Sequence, residues 1–180
     1  MPEINMRNNP WNPGIPIDPA TIARDIYLLL TIFTASKEIC GRRKDELDEG
    51  SVYGYSIRAF ELPEVGRLLV SLSATCRNAW DQPGHSIEDA LNTFTQSAEV
   101  GTLIKDIKVT ITMSTPLMVR ESWNKVLHCH TINFERSEGS SIYSGHLEPH
   151  VHLYGEHQGR EWKASVDIFR WCEVVYSLTL

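Results

Sequence analysis

The sequence predicts an α+β fold: a helical body of about four helices, a small C-terminal antiparallel sheet and a closing C-terminal helix. Two observations predict it. Apolar residues recur at helical spacing through most of the first two thirds of the chain, as from Ile22 to Phe33. The period then changes to the alternation of strands, and residues 149–167 have the pattern of a hairpin around Gly159.

Length and composition favour a single domain. The chain has 180 residues, of which 42% are hydrophobic and 22% charged, and a domain of this size buries a core without a metal or a disulfide. Residues 1–18 are proline-rich and are expected to form an extended arm before one globular domain at 19–180. The cysteines form no C-x-x-C pair, no segment resembles a signal peptide, and the longest apolar run is too short for a membrane helix. We therefore expect a cytoplasmic protein with no membrane contact.

The helices of the body are predicted from their apolar stripes and their start signals. Asp18 is a good N-cap with Pro19 at the first helical position, and Ser114 or Thr115 is expected to cap the fourth helix, with Pro116 in its first turn. The four helices are predicted at 19–41, from about 62 to 80, from 86 to about 101, and at 114–130.

The strands are predicted from alternation and turn residues. The segments at 52–60 and 107–113 alternate and are expected to form a short strand and a strand or loop, respectively. The segment "TINFE" is expected to be a strand, and "HVHLYGE" and "REWKASVD" are the two arms of the hairpin. Helical spacing returns in "IFRWCEVVYSLTL", which is the closing helix.

The fourth helix carries the best functional lead. On a helical wheel it has an apolar face and, on the flank of that face, a polar stripe of Arg120, Asn124 and His128, because residues four apart stack on one side. An arginine there can hold a phosphate, a histidine can act as a general acid or base, and an asparagine can orient either group. The apolar face is predicted to comprise Val119, Trp123, Val126 and His130.

This combination resembles the HEPN superfamily, many of whose members are helical, metal-independent ribonucleases of toxin and antiviral systems. The family motif has an arginine, often followed by a polar residue, and a histidine four to six residues later. In this chain Glu121 follows Arg120, and His128 comes after seven intervening residues. The resemblance implies RNA or a nucleotide at a local site, no cofactor, and a homodimer, because two copies of the motif commonly meet across a dimer. Separately, "RESWNKVLH" followed by a strand and a G-x-x-W hairpin is similar to bacterial proteins to which we attach no activity.

Two further basic residues are candidates for binding phosphate, Arg77 and Lys125. Arg77 begins a second arginine–histidine pair with His85, but Pro83 and Gly84 intervene, so His85 cannot stay on the same helix face. Arg77 can still join a pocket built around His128. The formal net charge of −6 argues against a broad nucleic-acid surface, so any phosphate site is expected to be local.

The histidines near the hairpin suggest a different function, a divalent-metal site. On a strand His150 and His152 point to one face, which suits metal ligation, with His146, Glu148 or Glu156 as a third ligand. A third alternative is a non-catalytic interaction or oligomerisation domain that uses the Trp-rich faces. The sequence lacks G-x-x-x-x-G-K-[ST], G-x-G-x-x-G and G-x-S-x-G, so nucleotide hydrolysis, dinucleotide redox chemistry and serine hydrolase chemistry are set aside.

Overall fold

The computed structural model describes residues 18–42, 52–80, 97–108, 113–137 and 145–177. Within these ranges the chain is a mixed α+β domain in which helices pack on one face of a five-stranded antiparallel sheet. This confirms the predicted fold class. The predicted arm, His85 and most of the predicted third helix lie outside the described residues.

The predicted first, second and closing helices are confirmed. Asp18 caps the first helix: its carboxylate accepts hydrogen bonds from the amide of Ala20 at 3.0 Å and from the hydroxyl of Thr21 at 2.6 Å. None of the described helices is long and apolar enough to cross a membrane. The helices are α1 (Pro19–Arg42), α2 (Val52–Ser56), a π-helical turn (Ile57–Glu61), α3 (Leu62–Trp80), α4 (Val119–His128) and α5 (Ile168–Ser177).

The five strands form one sheet in the order β2-β1-β5-β4-β3, with every neighbouring pair antiparallel. The predicted hairpin is confirmed as β4 and β5. Its turn residues Gln158 and Gly159 both have positive φ, 52° and 76°, which is the geometry of a two-residue type I′ turn. The strands are β1 (Glu99–Ile104), β2 (Ser114–Met118), β3 (Thr131–Arg136), β4 (Leu147–His157) and β5 (Arg160–Asp167).

Three local predictions are wrong. Residues 52–60 are helical rather than a strand, and residues 99–104 are a strand where the end of the third helix was expected. The fourth helix begins at Val119, because Ser114–Met118 pairs with β1 instead. Pro116, which suits the first turn of a helix, also suits this edge strand, and the Thr115 hydroxyl donates to the carbonyl of Leu103 at 3.1 Å rather than capping a helix.

The core lies between the helices and the inner face of the sheet. On β4 and β5 the side chains of Val151, Leu153, Trp162, Ala164 and Val166 are buried on that face, and they alternate with exposed or half-buried residues on the outer face. Gly155 makes room for Trp162, since a Cβ at Gly155 would lie 2.1 Å from the indole ring.

The described tryptophan side chains belong to this core, so they do not form the partner surface that the interaction hypothesis assumed. Trp123, Trp162 and Trp171 are 1%, 3% and 0% exposed. The indole N–H of Trp171 donates to the hydroxyl of Ser122 at 2.9 Å, which in turn donates to the carbonyl of Val119 at 2.6 Å. This buried chain of hydrogen bonds fixes α5 against α4.

Candidate functional site

The polar stripe predicted on α4 lies at the edge of the core. Val119, Trp123 and Val126 are buried, while Arg120 and His128 are exposed and Asn124 is half-buried. Because a helix rises 1.5 Å per residue, the three polar positions follow one another at intervals of about 6 Å along α4. The stripe is therefore accessible to a ligand over about 12 Å of helix.

His130 does not belong to the apolar face, which corrects the helical-wheel prediction. The helix ends at His128, so the wheel no longer applies two residues later. His130 is exposed, its amide donates to the carbonyl of Tyr154 at 2.9 Å, and its ring nitrogen Nδ1 lies 3.1 Å from the hydroxyl of Thr131. It marks the junction between α4 and β3.

The structure places Arg77 beside His128. Arg77 lies in the last turn of α3, which packs against α4, and its Nη1 is 3.3 Å from Nε2 of His128. A guanidinium only donates hydrogen bonds, so Nε2 of His128 is the acceptor and the neutral ring carries its proton on Nδ1. The contact thus leaves the exposed imidazole with an unprotonated nitrogen next to a fixed positive charge.

The Lys125 ammonium contacts Glu121 and Trp162 rather than His128. It lies 3.2 Å from the Glu121 carboxylate and 4.3 Å from the centre of the Trp162 ring. Both contacts hold the lysine over the core-facing side of α4, where a cation over an indole ring is electrostatically favoured. Of the two basic residues predicted to bind phosphate, only Arg77 lies against His128.

The two strand histidines do share the outer face of the sheet, and a glutamate on β3 lies between them. Oε2 of Glu135 is 3.7 Å from Nε2 of His152 and 4.0 Å from Nδ1 of His150. Sequence reasoning missed Glu135 because the antiparallel pairing of β3 with β4 decides which carboxylate faces the histidines. The alternation in "TINFER" was the signal that could have indicated it.

His152 occupies a partly desolvated position. Burial is the main cause that lowers the pKa of His152, and the Lys163 ammonium lowers it further, against the opposite effect of Glu135. Nδ1 of His152 is buried and has no hydrogen-bond partner among the described residues. The neutral imidazole is the favoured form at this site.

The other predicted metal ligands lie elsewhere along β4. His146 precedes the strand and contacts Glu148 at 3.2 Å, whereas Glu156 lies near the hairpin turn, opposite Glu161. At ~3.3 Å per residue, Glu156 is about 20 Å along the strand from His150. Within the described ranges, no group of three or more His, Cys, Asp or Glu side chains is arranged to hold a metal ion.

The four cysteines are free thiols. Burial raises the pKa of Cys76 and of Cys172 to about 12. Burial also raises the pKa of Cys129, whose thiol lies 3.2 Å from the Val126 carbonyl, and that of Cys40. A thiolate, which thiol chemistry requires, is therefore disfavoured at all four positions.

No protein-family model matches the chain, and no curated protein or solved structure is significantly similar to it. The arrangement with the clearest chemistry is the one formed by α3 and α4, in which a base and a cation meet at an accessible surface.

Proposed function

We propose that the protein is a metal-independent ribonuclease of the HEPN type, a bacterial cytoplasmic protein that cleaves RNA at the surface shared by α3 and α4. The observation that carries the proposal is the 3.3 Å contact between Arg77 and His128. It supports the proposal because it joins two chemically suitable residues that are far apart in the chain. Arg120 and Asn124 extend the same surface along α4.

Metal-independent RNA cleavage needs a base for the 2′-hydroxyl and a cation for the phosphate. In the proposed reaction Nε2 of His128 takes the proton of the 2′-hydroxyl, O2′ attacks phosphorus, and the bond to O5′ breaks. The departing O5′ takes a proton from water, and the His128 ring returns its own proton to the solvent. The products are a 2′,3′-cyclic phosphate and a 5′-hydroxyl. Arg77 moves its donors from His128 to the phosphate oxygens, which frees Nε2 to accept the proton, and Arg120 adds positive charge.

The acidic character of the chain shapes how the RNA would bind. With a net charge of −6, binding depends on a few local contacts rather than on a broad basic surface. Two arginine–phosphate contacts release few counterions, so the affinity for single-stranded RNA should fall with salt with a logarithmic slope of about −1 to −2. The resemblance also implies a homodimer, which analytical ultracentrifugation tests directly.

The decisive experiment uses end-labelled RNA of mixed sequence and its 2′-deoxy counterpart, each incubated with the purified protein in EDTA. We expect cleavage of the RNA alone, with cyclic phosphate ends. His128→Ala should lower the cleavage rate by roughly 10²–10⁴-fold, as for the loss of a general base. Arg77→Ala should lower it by roughly 10²-fold, as for the loss of one donor to a developing negative charge.

His130→Ala and Arg170→Ala are matched controls. His130 is an exposed histidine two residues beyond the site, and Arg170 is an exposed arginine paired with Glu173 at 3.1 Å. Both variants should cleave at the wild-type rate. Equal cleavage by wild type and His128→Ala would rule out the proposed role, and so would cleavage of the 2′-deoxy strand.

A further inference from the structure

A second cluster of hydrogen-bonded polar side chains lies where β3 ends and β4 begins. Ser137 directly follows β3, His146 directly precedes β4, and Glu148 is the second residue of β4. The Ser137 hydroxyl is 2.8 Å from Nδ1 of His146, and Oε1 of Glu148 is 3.2 Å from Nε2 of the same ring. Each imidazole nitrogen therefore has a different partner.

The chemistry of the partners fixes the direction of these hydrogen bonds. A carboxylate only accepts, so the ring proton of neutral His146 lies on Nε2, toward Glu148. Nδ1 is then the acceptor for the Ser137 hydroxyl. A hydroxyl bonded to a base that is itself oriented by a carboxylate is the arrangement that activates a serine as a nucleophile.

The backbone holds the serine and the histidine in register. The amide of Ser137 donates to the carbonyl of His146, and the amide of His146 donates to the Ser137 hydroxyl oxygen, each at 3.0 Å. Close approach of the two segments depends on Gly145, because a Cβ there would lie 2.2 Å from the carbonyl oxygen of Ser137. The side-chain contact is thus set by the pairing of the strands.

A partly buried ion pair anchors the same segment from the inner side. Arg136 donates to the carbonyl of Gly145 at 2.7 Å and to the Glu61 carboxylate at 2.5 Å. One residue after His146, the amide of Leu147 donates to the buried hydroxyl of Ser36 on α1 at 2.9 Å. His146 lies between these two anchored positions, which is the support that a preorganised site requires.

We propose that Ser137 is an acyl-accepting nucleophile, with His146 as its general base and Glu148 as a positioning residue, for small carboxylic esters. Oγ of Ser137 attacks the ester carbonyl carbon and its proton passes to Nδ1 of His146. The bond to the alcohol oxygen breaks, and that oxygen leaves with the proton from Nδ1. Water then attacks the acyl carbon as its proton passes to the same nitrogen. The bond between the acyl carbon and Oγ breaks, and Nδ1 returns the proton to Oγ, which releases the carboxylic acid and restores the serine.

The absence of a G-x-S-x-G motif excludes one class of serine hydrolase, and the Ser137 site is built differently from the site of that class. Ser137 comes directly after the end of β3 rather than in a strand-to-helix turn, and the base is Nδ1 of His146 rather than an Nε2 atom. The side chains of His146 and Glu148 are 25% and 37% exposed, so a small ester can reach the ring from solvent. Neither Arg77 nor His128 takes part, which separates this inference from the ribonuclease proposal.

The test is acylation of the full-length protein by p-nitrophenyl acetate. We expect a burst of about one equivalent of nitrophenolate, as an acyl-enzyme mechanism requires, and one acetyl group on Ser137 in peptide mass spectra. Ser137→Ala should abolish the burst, and His146→Gln should slow acylation roughly 10²-fold or more. Ser165→Ala, an outer-face serine of β5, is the matched control and should react like the wild type.

A kinetic measurement distinguishes a positioning role of Glu148 from a purely structural one. Glu148→Gln should lower the acylation rate constant while leaving the ester concentration for half-maximal rate unchanged, and Glu148→Asp should restore most of the rate. An acetyl group on lysine or tyrosine instead of Ser137 would overturn the proposal. Equal bursts from wild type and Ser137→Ala, or no burst from correctly folded wild type, would overturn it as well.

Discussion

The ion pair between Arg136 and Glu61 gives a stability prediction whose size follows from burial. The two side chains are 19% and 7% exposed, and Arg136 also holds the carbonyl of Gly145. Removing one partner of a buried pair costs roughly 3–5 kcal/mol, because the other charge remains buried without compensation. Since the guanidinium keeps some access to water, we expect Arg136→Met to lower the free energy of unfolding by about 2–4 kcal/mol.

The assay is urea denaturation followed by circular dichroism, supported by thermal melting. For a chain of this size the expected loss corresponds to a fall in Tm of about 5–15 °C. Arg170→Met is the matched control: its partner Glu173 and Arg170 itself are 68% and 54% exposed, so the change should stay within about 0.5 kcal/mol.

A double variant separates the charge effect from the loss of packing. If the cost of Arg136→Met arises from an uncompensated carboxylate, then adding Glu61→Leu should recover part of the stability, because an apolar pair replaces the ions. The double variant should therefore be more stable than Arg136→Met alone. Additive losses from the two single changes would refute the electrostatic explanation, as would an Arg136→Met variant as stable as the Arg170→Met control.

Two further predictions concern the sheet. Gly155→Ala should lower the free energy of unfolding by about 1–3 kcal/mol in urea denaturation, because its Cβ would lie 2.1 Å from the Trp162 ring and overpack the core; a stable variant would mean that the ring has room to move. The pKa of His152 is lowered from 6.5 chiefly by burial, so the unfolded chain binds a proton at this residue more readily than the folded chain does. The contribution of neutral His152 to the free energy of unfolding is therefore full above pH 6.5 and is lost as the pH falls through the lowered pKa. His152→Gln should therefore flatten the dependence of the urea midpoint on pH just below 6.5, and an unchanged slope would contradict the assignment.

Local patterns predicted the elements whose signals lie within a few residues of each other. The stripe from Ile22 to Phe33 gave α1, Asp18 gave its start, and Gly159 gave the turn of the hairpin. The strand at Ser114–Met118 could not be found this way. Pro116 fits both the first turn of a helix and an edge strand. Pairing with β1, which lies earlier in the chain, decides for the strand.

The same limit applies to the candidate sites. The spacing of Arg120, Asn124 and His128 predicted one polar stripe because all three lie on one helix. The contact of His128 with Arg77 spans 51 positions, and its geometry depends on how α3 packs against α4. Ser137 had no motif to single it out, since its contact with His146 depends on the register of two strands.

The strand order also has a consequence for how the protein is made. β5 pairs with β1 on one side and with β4 on the other. The β1–β2 pair and the β3–β4 pair therefore become one sheet only after β5 has left the ribosome. Until then the apolar side of α1 is also without α5, the C-terminal helix that packs against it. Ribosome-bound chains stalled before β5 should therefore depend on chaperones, because late closure of distant contacts leaves apolar surface open to aggregation.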